Sequence, residues 1–196
     1  MTKDDPDFAL RSRPGLPPDL RFLVERYPRT DWPGHANIGG MAAFWLQRHD
    51  MFRAFGRLLT DGIADYREGR TDAPEFARWF APRLNNFLGN LDGHHNVEDQ
   101  HYFPAFAQAE KRLKRGFEIL DADHHLIHEA LEKNAETANA FLRSLGESQD
   151  RQRFAADAYA DANHDLVTML ARHLDDEEDL IIPLILDRGD QALGGY

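Results

Sequence analysis

His94, Glu98 and Pro104 recur as His173, Glu177 and Pro183, with identical offsets in the two copies. A histidine and a glutamate four residues apart are neighbours on one face of a helix. Imidazole and carboxylate together ligate transition-metal ions, and a carboxylate can also bridge two of them. His124 and His128 form another pair at that spacing between the copies, and His49 stands alone upstream. Two His/Glu pairs, with histidines from two further helices, supply the ligands for a pair of metal ions inside a four-helix bundle. The ligand set is thus His49, His94, Glu98, His124, His128, His173 and Glu177. Its nitrogen-rich mixture favours iron over magnesium or calcium, and two ions over one. Ionisable groups facing a bundle interior are costly unless they are paired or bound to metal, which argues against a chance pattern.

Four helices must carry these residues. The first runs over 38–67, where Met41, Phe44, Trp45, Phe52, Phe55, Leu58, Leu59 and Ile63 fall mostly at three- and four-residue spacing. Thr71 or Asp72 caps the second, with Pro74 in its first turn. That helix continues into the first His/Glu phrase, and Pro104 should kink it or end its regular hydrogen bonding. A short piece at 108–115 precedes a third helix over 116–145, stopped at Gly146. The fourth spans 150–187 and carries the second phrase. The expectation is an all-α protein: an antiparallel four-helix bundle over 38–187, an irregular proline-rich arm over 1–37 and a tail over 188–196. Pro6, Pro14, Pro17, Pro18, Pro28 and Pro33 punctuate the arm. A helical turn near Asp19–Arg26 and the side chains of Tyr27 and Trp32 give it the means to pack.

The 196 residues fit one domain. No run approaches the roughly 20 apolar residues that span a membrane. The acidic opening segment has no apolar signal region, which favours a cytoplasmic protein. Cysteine is absent, which excludes disulfides, thiolate nucleophiles, iron–sulfur clusters and cysteine-ligated zinc on this chain. The net charge of −11 and the single short basic cluster at 111–115 argue against nucleic-acid binding. The acidic surface and the arm suit a homodimer or a protein partner. Scattered glycines lack the context of a phosphate-binding loop.

The lone His49, the His94/Glu98 phrase, the central His124 and His128, and the terminal His173/Glu177 phrase together resemble the hemerythrin-like, HHE cation-binding family. The resemblance covers about residues 38–187. It implies a four-helix bundle holding a non-haem di-iron centre bridged by two glutamates, with zinc or another divalent metal as an occupant after purification. It also implies a small diatomic ligand, oxygen or nitric oxide, or a role in handling iron. An oxidoreductase acting on peroxide or nitric oxide, or an iron donor in the repair of iron centres, is the alternative; a non-enzymatic role leads. In oxygen-carrying hemerythrins the last carboxylate is an aspartate five residues beyond its histidine, where this chain has Glu178. In glutamate-bearing HHE relatives it lies four beyond, at Glu177, as the repeat also favours. Some members of the family use only the first of the two central histidines, which leaves His128 as a ligand or a neighbouring core residue.

The other histidines have plainer readings. His95 and His125 are each offset by one residue from a ligand position and face a neighbouring helix or solvent. His101 reads as a packed residue, His164 as facing away, and His35 as a capping or surface residue of the arm. Tyr102 reads as a buried core tyrosine.

Overall fold

A computed structural model describes residues 9–194. The acidic opening segment with Pro6, and Gly195 at the other end, lie outside the described residues. Within them the regular structure is helical throughout. The helices are α1 (Phe22–Arg26), α2 (Gly40–Arg67), α3 (Ala73–Val97), α4 (Phe103–Ala109), α5 (Lys114–Ser144) and α6 (Gln149–Arg188). Short 3-10 turns at Pro18–Leu20, Arg29–Gly34, Lys111–Leu113 and Asp190–Leu193 complete the arm, the α4–α5 link and the tail. No helix among the described residues is long and apolar enough to cross a membrane.

Local chemistry sets the helix ends. Gly40 has φ +56°, and a Cβ there would lie 2.0 Å from Asp190 Oδ2. That carboxylate accepts a hydrogen bond from the Met41 amide at 2.9 Å, so a residue of the tail caps α2. Only glycine fits this backbone and this approach, which explains why α2 begins two residues after Ile38. Asp72 Oδ1 accepts from the Glu75 amide at 2.8 Å, with Pro74 in the first turn of α3. Between α4 and α5, Glu110 leaves the helical region and its side chain accepts from the Arg112 amide. The short piece expected at 108–115 is therefore divided among the end of α4, a 3-10 turn and the start of α5.

The two copies of the His/Glu/Pro phrase have different backbones. Pro104 lacks an amide hydrogen, and its ring would crowd the carbonyl four residues back. The chain widens into a π turn over Glu98–Tyr102, where the Phe103 amide reaches the Glu98 carbonyl. Such turns recur at functional sites in helices. Pro183, by contrast, lies inside the continuous α6.

The packing forms two compact units. The first contains the described residues up to Asp50, then His95–His125, then those from Ala171 onward. Its apolar core joins Leu20, Leu23 and Trp32 of the arm to Phe103, Phe106, Ile181 and Ile185. The second contains Met51–His94 and Leu126–Leu170. Its core is aromatic: Phe76 lies against Phe80 at 4.8 Å between ring centroids, and Phe80 meets Tyr159 edge-on at 4.9 Å. Beside them Tyr159, Asn163 and Thr60 form a hydrogen-bonded chain, with Tyr159 Oη donating to Asn163 and Asn163 donating to Thr60.

Candidate metal centre

Two groups of donor side chains are assembled where α2, α3 and the π turn, α5 and α6 supply their histidines and glutamates. One consists of His95, His124 and His173, all buried. The other consists of His49, Glu98 and Glu177, all buried, with the half-buried His94. Within each group the donor atoms lie within 4.8 Å of one another. His124 Nε2 and His173 Nε2 are 3.1 Å apart, and His173 Nε2 is 3.2 Å from Glu177 Oε2. His49 Nε2 lies 3.5 Å from Glu177 Oε1. The ring of His95 stacks on that of His124 at 4.0 Å between centroids. The ring of Phe52 lies 5.0 Å from that of His94.

The far nitrogens of three histidines are held by carboxylates. Nδ1 of His124 is 2.7 Å from Asp99, Nδ1 of His173 is 3.2 Å from Asp123, and Nδ1 of His49 is 3.0 Å from Glu178. A carboxylate on Nδ1 fixes the tautomer and orients Nε2, an arrangement characteristic of histidines that ligate metals. Trp45 Nε1 donates to Glu177 Oε1 at 2.6 Å and fixes that carboxylate in turn.

Charge in this site is costly, because burial opposes it. For Glu98 burial and the nearby Glu177 act together and hold the carboxyl well above its ordinary range. Burial also penalises Glu177, but the imidazoles of His49 and His173 outweigh it and pull its pKa well below that range. At His49 burial is likewise outweighed by Glu177 and Glu178, which raise its pKa. Burial disfavours charge on His173, yet Asp123 and Glu177 raise it to about 9. At His124 burial prevails and the pKa falls. Protons thus supply the positive charge that the carboxylates demand. A cation would take over that role and release them. Imidazole nitrogens and carboxylate oxygens without sulfur suit iron, zinc, copper or nickel. The donor set therefore fits the metal that the spacing implies.

The structure brings together His49, His94, Glu98, His124, His173 and Glu177 in these two groups, and does not bring His128 into either. His128 stands apart from both groups. Its side chain is 56% exposed and sits 3.4 Å from both Asp92 and Glu132. Four residues rotate a helix by about 400° and advance it about 6 Å, so His128 drifts outward from His124 and finds acidic partners there. His95 faces the neighbouring helix α5, stacked on His124, and is buried in the histidine group, a donor position its offset from His94 does not reveal. Consecutive residues point about 100° apart, so a doublet at the end of α3 can serve two groups on different sides. The doublet His94–His95 immediately before a proline-induced π turn was the available signal.

Glu178 is buried against His49 rather than among the donor atoms of either group. His101, within the π turn, is exposed rather than packed. Tyr102 is only half-buried, edge-on to Trp45 at 5.0 Å. His125 and His164 are exposed, and His35 Nδ1 accepts from the Asn37 amide at 3.1 Å. Sequence reasoning missed Asp99, Asp123 and Trp45, since their partners are fixed by the packing of separate helices and not by any spacing along the chain.

A family model described as the hemerythrin HHE cation binding domain matches residues 40–185. No curated protein and no solved structure matches the chain.

Proposed function

The chain belongs to the hemerythrin HHE cation-binding family, and from that premise we propose that it is a non-haem di-iron protein that binds or senses oxygen or nitric oxide, or handles iron. In this reading its long helices form an antiparallel four-helix bundle around the centre. His49, His94, Glu98 and Glu177 hold one ion, and His95, His124 and His173 hold the other, with the two glutamates placed to be shared. His128 is left out of the set. Bound iron would supply an open position for a small diatomic ligand together with one-electron redox chemistry. The protein's own part is to hold the imidazoles by their Nδ1 atoms, to neutralise cationic charge with buried glutamates, and to keep bulk water away. The observation that carries the proposal is the pair of buried donor groups, each with its donor atoms within 4.8 Å.

Metal analysis of protein purified without added metal, and again after anaerobic reconstitution with ferrous iron, tests this directly. The expected result is close to two irons per chain and a reversible spectral change with oxygen or nitric oxide. His94→Ala and His173→Ala should each lose at least one iron, while His128→Ala and His164→Ala retain both. Equal loading in all four variants would overturn the ligand set. Steady consumption of the gas with an electron donor would instead identify an enzyme.

A further inference from the structure

Two relays lead from the site to the N-terminal arm, a buried one through Arg13 and one through Arg29 at the surface; the arm precedes the family match at residue 40. Arg13 is 7% exposed. Its Nη1 donates to Asp123 Oδ1 at 2.7 Å, its Nη2 donates to Asp123 Oδ2, and its Nε donates to Asp176 Oδ2 at 2.8 Å. Asp123 in turn holds Nδ1 of His173. Arg29, at the surface, makes a similar link: its Nη1 donates to Glu178 Oε2 at 2.7 Å, and Glu178 Oε1 holds Nδ1 of His49. The arm is itself anchored, since Arg172 donates to the Pro14 carbonyl at 3.1 Å and Arg29 Nε donates to Asp179 Oδ1 at 2.7 Å.

Asp123 and Asp176 are the chain neighbours of His124 and Glu177. One planar guanidinium thereby ties α5 to α6 at the turn where both present donors. Its fork matches a carboxylate with two parallel bonds, which a lysine cannot reproduce. A carboxylate held in this way cannot swing from the imidazole, so the orientation of Nε2 follows from a residue of the arm.

We propose that Arg13 and Arg29 are positioning residues of the metal centre, acting through Asp123 on His173 and through Glu178 on His49, so that the arm completes the site. This rests on the metal-binding reading above. Loss of such an outer partner typically lowers metal affinity about 10- to 100-fold.

The test titrates the 196-residue chain with cobalt(II), following its visible absorption and competing it against a chelator. Arg13→Gln, Arg13→Lys and Arg29→Gln are compared with Arg26→Gln, which removes a different ion pair of the arm, to Asp187. The expected result is an affinity about 10- to 100-fold weaker and an altered cobalt spectrum in the first three variants, with Arg26→Gln unchanged. The Arg13→Lys defect shows that the fork matters and not the charge. Should Arg13→Gln fail to fold, Arg13→Lys and Arg29→Gln carry the test, since each removes a guanidinium of the arm and leaves Asp123 and Glu178 on their histidines. Unchanged affinity and spectrum in the Arg13 and Arg29 variants, with wild type fully loaded, overturn the proposal alone. An equal loss in Arg26→Gln also overturns it, since the arm would then act only by docking. Wild type that takes up neither cobalt nor iron overturns the metal-binding reading and this proposal with it.

Discussion

The imidazoles of His49 and His173, which a metal would occupy, hold protons in its absence, and the two occupants respond oppositely to pH. His173 titrates at about 9 against an ordinary value of 6.5. Its charged form therefore stabilises the metal-free fold fully below about pH 6.5, and that contribution is lost as pH rises through 9. His49 and Glu98, both raised, act in the same direction. Glu177, lowered, contributes above its ordinary value of 4.5 and loses that contribution in acid. The metal-free protein should accordingly lose thermal stability between about pH 6 and about pH 9. Metal must displace the same protons, so the rise in melting temperature on adding zinc should grow over that interval. Thermal unfolding of chelator-treated and zinc-loaded protein at both ends of the range checks it; a constant increment would contradict the proton-for-metal exchange. The donors themselves were largely legible, because i,i+4 spacing fixes direction on a helix. Their supports were not. Asp123 lies 50 residues from His173, and Glu178 lies 129 from His49, so only the packed helices bring them together.

Helices carried the clearest signal in the sequence, and their irregularities the faintest. The extents of α2 and α6, and the start of α3, follow from apolar periodicity, the Asp72 cap and the proline positions, to within a few residues. The π turn does not follow, since Pro104 and Pro183 stand at the same offset from their glutamates and only Pro104 widens its helix. The start of α2 at Gly40 also depends on Asp190, far along the chain. The same distinction between local and packed positions predicts two opposite glycine effects. Gly62 in α2 faces Trp79, and a Cβ there would lie 2.4 Å from the indole ring. Gly62→Ala should destabilise by about 1–3 kcal/mol through overpacking. Gly89 in α3 is exposed, and a Cβ there meets nothing within 4 Å. Gly89→Ala should stabilise by about 0.5–1 kcal/mol, the ordinary cost of glycine in a helix. Urea unfolding of the two variants, each in the same metal state as wild type, measures both; matching signs would refute the assigned contacts.

At the scale of the molecule, the donors are distributed unevenly over the two compact units. His49, His95, Glu98, His124, His173 and Glu177 all belong to the first unit, and His94 is the last residue of its stretch in the second. The first unit also concentrates buried carboxylates, among them Asp123, Asp176 and Glu178, in a chain whose net charge is already −11. Removing cations leaves those charges balanced only by protons and by arginines such as Arg13. The second unit rests on Phe76, Phe80, Phe141 and Tyr159, whose packing owes nothing to metal. Metal binding contributes folding free energy where its ligands lie, and local opening reports that contribution segment by segment. Chelation should therefore accelerate amide hydrogen exchange over 95–125 and 171–188, by about tenfold for every 1.4 kcal/mol of binding energy withdrawn. Segments 73–88 and 130–165 should change much less. Exchange measured by mass spectrometry before and after chelation resolves the two sets. Uniform acceleration across both would mean that the units open together, and that the metal stabilises the whole chain rather than the half that binds it.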